Sequence, residues 1–63
     1  MMDTITLRNT AQELRSSAQQ IRRNNETTPY PTAELDASLL EKAAKDLEDA
    51  ADEIERLRLL QSK

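Results

Sequence analysis

The sequence predicts an all-α antiparallel helical hairpin, a single domain over residues 1–63, that assembles into a four-helix bundle or a higher oligomer. Three observations predict it. Residues 35–60 carry a heptad of Leu, Ile and Ala, and residues 7–21 carry a shorter one. Between them NNETTPYPT, residues 24–32, breaks both patterns with two prolines. The chain has no Gly, one aromatic residue and 33% charged residues, a composition suited to long helices rather than strands and tight turns.

The first helix is expected over about 4–24. Asp3, Thr4 or Thr6 can serve as its N-cap, and Thr10 with Glu13 forms a later capping box. Ile5, Thr6 and Leu7 also suit a short extended arm, since two of the three are β-branched. Leu7, Ala11, Leu14, Ala18 and Ile21 follow at steps of 4, 3, 4 and 3, which places them on one helical face.

A loop is expected over about 25–32, where Pro29 and Pro31 push Thr28 and Tyr30 towards extended geometry. The second helix then covers about 33–61, capped by Thr32 or Asp36. In it Leu40, Leu47 and Ile54 occupy position a, Ala43, Ala50 and Leu57 position d, and Ala37, Ala44 and Ala51 the flanking position e. A residue-number sum near 57 then sets Leu7 against Ala50, Ala11 against Leu47, Leu14 against Ala43 and Ala18 against Leu40. Large meets small in every layer, which fills the seam without voids. Leu57, Leu59 and Leu60 overrun the first helix in this register, and Leu39 lies outside the seam, so a second hairpin is expected to cover the remainder.

Size agrees with association. A chain of 63 residues buries only about 60% of its unfolded surface. Without Cys or His it has neither disulfides nor the usual zinc ligands to compensate. No apolar run approaches the length of a membrane span, and the start MMDTITL lacks the basic and apolar regions of a signal peptide, so a cytoplasmic protein is expected.

The net charge of −3 is unevenly spread. Residues 1–25 hold four arginines against two acids, leaving +2, while residues 26–63 hold ten acids against five bases, leaving −5. Arg8, Arg15 and Arg22 stand one heptad apart. Their stems can lie over alanines while their guanidiniums pair with acids such as Asp46 or Glu53 of a second subunit, or they can form an anion site for nucleic acid or a nucleotide. Glu41, Glu48 and Glu55 repeat with the same period, interleaved with Lys42, Lys45 and Arg56 as on a solvated helix face. Tyr30, between two prolines, offers either a rigid partner contact or a ring folded over Leu35.

No catalytic role is expected. Cys and His are absent, and no arrangement of the acids would bury one and raise its pKa. No cofactor and no metal is expected either.

AADEIERLR, residues 50–58, preceded by LDASLLEKAAKDLED, resembles the closing helix of short helical accessory proteins encoded by bacteriophages and prophages. That resemblance implies a product acting in the host cytoplasm that binds and disables a host protein, for example one of antiviral defence. In pattern the chain is also similar to Rop-like helical hairpins, whose dimers are four-helix bundles that bind RNA loops through their first helices. That likeness implies an RNA- or nucleotide-binding dimer using Arg8, Arg15 and Arg22, although the aromatic RNA contact of that family has no equivalent on this helix. The expectation is a non-enzymatic module that self-associates and occludes a protein partner through Tyr30, Leu57, Leu59 and Leu60. An RNA binder and a purely structural oligomerisation module stand as alternatives.

Overall fold

The computed structural model describes residues 3–61 and shows two α-helices, α1 over Thr4–Thr27 and α2 over Ala33–Gln61, packed side by side as an all-α hairpin. The molecule is a rod of 54 × 15 × 14 Å.

Asp3 starts α1. Its Oδ1 accepts the Ile5 backbone N–H at 3.0 Å, which satisfies one of the donors that a helix start leaves unpaired. Ile5, Thr6 and Leu7 are therefore helical, not an extended arm. The helix runs three residues beyond the expected end. Nothing in residues 24–27 forbids it, because the restriction imposed by Pro29 reaches back only to Thr28, whose N–H still bonds the Asn24 carbonyl at 2.8 Å.

The loop is thus residues 28–32, short enough to return the chain antiparallel. Asn25 holds it from below, accepting the Tyr30 N–H on Oδ1 at 3.1 Å. Thr32 closes it, its carbonyl accepting the Asp36 N–H at 2.8 Å and its hydroxyl donating to Asp36 Oδ2 at 3.4 Å. Glu34 and Asp36 in the first turn of α2 and Arg58 in its last complement the helix dipole.

The interior differs from the expected seam. Ala11, Ala18, Ala37, Ala44 and Ala51 are completely buried, joined by Ala33, Thr4 and Leu7, whereas Ala43 and Ala50 face solvent. α2 is rotated so that the series 37, 44 and 51, not 43 and 50, meets α1. Arg8 pairs with Asp52 and Glu55, Arg15 with Glu48, and Arg22 with Glu34 and Glu41, so paired residue numbers run from 56 to 63. Ala11 and Ala18 of α1 share the buried seam with Ala37, Ala44 and Ala51 of α2. Small meets small, and the two backbones approach closely along the rod.

Charge explains the choice. Glu41 stands four residues after Ala37 and three before Ala44, so it shares their face. Turning the series 37, 44 and 51 inward brings the glutamates beside the arginines of α1. Turning 43 and 50 inward would carry them away. Both alanine series satisfy the apolar spacing, and only one satisfies the ions.

Candidate association surface

The alanine seam divides the rod into two long sides. On the first, Arg8, Arg15 and Arg22 from α1 meet carboxylates of α2. Arg22 donates to both oxygens of Glu41, at 2.7 and 2.8 Å, and to both of Glu34, at 2.9 and 3.3 Å. Arg8 donates to Asp52 at 2.7 Å and to Glu55, and Arg15 to Glu48. These are intrachain pairs, which corrects the expectation that the arginines reach acids of a second subunit. Arg56 pairs with Glu53, three residues back on the same helix.

The hydrogen bonds from Arg22 hold Glu34 and Glu41 below the usual carboxylate range, and the bond from Arg56 does the same for Glu53. Hydrogen bonds to Asp52 and Glu55 raise Arg8, one to Glu48 raises Arg15, and those to Glu41 and Glu34 raise Arg22, so these arginines stay cationic throughout the working pH range. Each guanidinium of the stripe thus donates to carboxylates of its own chain. As an anion site, the stripe would first have to give up those bonds.

The second side is apolar. Leu7, Leu14 and Ile21 flank the α1 alanines opposite the arginines, and Leu40, Leu47 and Ile54 flank those of α2 opposite the glutamates. Because the ions meet on one side, the six large residues gather on the other. Only Leu7 is buried; the remaining five are half-exposed. No large side chain among the described residues is fully enclosed. Beyond these six the surface continues on α2 through Leu39, Ala43, Ala50 and Leu57, and on α1 through Thr6, Thr10, Ser17 and Asn24, all exposed. None of these residues is charged.

The expected partner contacts do not converge. Leu57, at 45% exposure, continues the line of Ala43 and Ala50 on the apolar side. Leu59 follows Glu55 by four residues and so lies towards the ion-paired side, and Leu60 follows Glu53 by seven on the outer side of α2. Tyr30 sits at the other end of the 54 Å rod. Its hydroxyl lies 3.5 Å from Asp36 Oδ2. Partial desolvation, then the charge of Asp36, push that hydroxyl up in pKa. Leu35 stays 59% exposed, so the ring does not cover it.

Reasoning from sequence missed Leu39, Ala43 and Ala50 as surface. The available signal was the period shared by Arg8, Arg15, Arg22 and Glu41, Glu48, Glu55, which fixes the rotation of α2 once the two sets are paired. Among the described residues, no group of three or more acids converges as metal ligands would, and no helix is long and apolar enough to cross a membrane. The chain matches no protein-family model, no curated protein and no solved structure.

Proposed function

We propose that the chain is a non-enzymatic protein-association module whose working surface is the uncharged leucine side of the hairpin. One observation carries this reading. Five of the six large seam residues are only half-buried, and exposed Leu39, Ala43, Ala50 and Leu57 continue their strip on α2. Isolated surface leucines are ordinary, but a contiguous apolar strip rimmed by polar residues marks a protein-binding surface. A nucleic-acid surface would instead present cations for phosphates, and here Arg8, Arg15 and Arg22 are committed to glutamates and an aspartate. The likeness of residues 50–58 to phage-encoded helical proteins extends the reading to occlusion of a host protein by that surface.

The test is site-specific photo-crosslinking from position 50, on the leucine side, compared with position 12, on the outer surface of α1. Protein adducts from position 50 and none from position 12 support the reading. Adducts distributed equally, or retention of RNA that weakens steeply between about 50 and 200 mM salt, would overturn it.

A further inference from the structure

Resting on that association reading, we infer that the leucine side is covered by a second copy of this chain, with α2 packed antiparallel on α2 and α1 on α1. A twofold axis lying in the interface, perpendicular to the rod, relates the two hairpins.

Area is the first argument. The chain exposes 4905 Å², whereas a compact monomer of its 7.2 kDa exposes about 4100 Å². The surplus, on the order of 800 Å², equals what each partner loses in a standard-sized interface. One long side of a 54 × 15 Å rod presents an area of about the same size. A second hairpin of equal length covers that side from end to end.

Self-complementarity is the second argument. Leu40, Ala43, Leu47, Ala50, Ile54 and Leu57 form a line on α2 whose steps of 3, 4, 3, 4 and 3 read the same in both directions. Run antiparallel against itself, the line sets Leu40 of one copy by Leu57 of the other, Ala43 by Ile54 and Leu47 by Ala50. An isologous contact requires this symmetry.

Segregation of the rims fixes which helix meets which. The α2 rim is apolar, while the α1 rim is Thr6, Thr10, Ser17 and Asn24. With the twofold axis along the rod instead, Leu57 would pack on Thr6 and Leu39 on Asn24, burying hydroxyl and amide groups under leucine without partners. Packing like on like leaves the polar rims to bond each other.

Sedimentation equilibrium of the full chain tests the assembly, and cysteine pairing tests its geometry. The expected mass is about 14 kDa, twice the 7.2 kDa of the chain. Because the protein has no cysteine, a mixture of Leu40→Cys and Leu57→Cys chains should give a disulfide-linked heterodimer on mild oxidation, and neither variant alone should. Within one chain the two positions stand about 26 Å apart along α2, so any bridge joins two chains. Ala50→Glu should weaken the dimer at least ~100-fold while the circular dichroism stays helical; Gln12→Glu, on the outer surface, should leave it intact.

A mass of 7.2 kDa at hundreds of micromolar would overturn the inference, as would Ala50→Glu leaving the mass unchanged. Preferential bridging of Thr6→Cys with Leu57→Cys chains would also overturn it. A monomer that crosslinks to a different protein through position 50 would overturn the second copy alone and leave the association reading standing.

Discussion

Arg22 grips Glu41 through both terminal guanidinium nitrogens, at 2.7 and 2.8 Å, and so fixes the rotation of a second helix whose apolar residues alone permit more than one. The same guanidinium reaches Glu34, one helical repeat earlier, and thereby ties the loop end of α2 to α1. Arg15 and Arg8 repeat the contact further along the rod.

That network makes stability depend on pH in a definite direction. Glu34 and Glu41 have folded-state pKa values below the ordinary value of 4.5, held there by hydrogen bonds from Arg22. Between the lowered and ordinary values the unfolded chain binds more protons, so stability rises with pH across that window. The contribution is complete above about pH 5 and is lost as pH falls through the lowered values. Urea unfolding followed at a series of pH values should show this slope, and a Glu34→Gln, Glu41→Gln variant should flatten it. In ~1 M salt the difference between variant and parent should shrink, because Glu34 is largely exposed and Arg22 and Glu41 are only half-buried.

Close approach at the alanines leaves no room for a larger side chain. Ala44→Leu should destabilise the hairpin by about 1–3 kcal/mol or force a new register, as overpacked cores do. Ser16→Ala, on the exposed surface of α1, should stay within about 0.5 kcal/mol of the parent. Urea midpoints at one fixed protein concentration compare the two.

The start of α1 depends on a single side chain. Asp3→Ala removes the acceptor for the Ile5 N–H and should cost about 1 kcal/mol, with fraying that lowers the helical circular dichroism. Asp3→Asn keeps an acceptor oxygen and should recover most of the loss.

At the other end, Asn25→Ala leaves the Tyr30 N–H without its side-chain acceptor. A loss of about 0.5–1.5 kcal/mol is expected in thermal or urea unfolding. Tyr30→Phe should change stability by less than ~0.5 kcal/mol, because the hydroxyl meets Asp36 only at 3.5 Å in exposed surroundings.

Two helices, their turn-back and the apolar periodicity were legible because Leu, Ile and Ala recur at 3-4 spacing and the two prolines forbid a continuous rod. The rotation of α2 was not legible from periodicity alone. Leu40, Leu47 and Ile54 belong to two overlapping stripes, one with Ala43 and Ala50 and one with Ala37, Ala44 and Ala51, and apolar spacing ranks them equally. Packing large against small favours the first stripe. Ion pairing with Arg8, Arg15 and Arg22 favours the second, and the structure adopts it. The consequence reaches the candidate surface, since leucines pictured as interlocked within the hairpin instead line its open side. Asn25, which extends α1 and anchors the loop, carried no pattern that set it apart from its neighbour Asn24.

The rotation of α2 is tested most directly by methyl nuclear Overhauser effects in the carbon-13-labelled chain. Cross-peaks from Ala11 and Ala18 to Ala37, Ala44 and Ala51 are expected, since all five are wholly buried. Cross-peaks joining Leu7 to Ala50 and Leu14 to Ala43 in their place would contradict the alanine seam, and with it the leucine surface that depends on it.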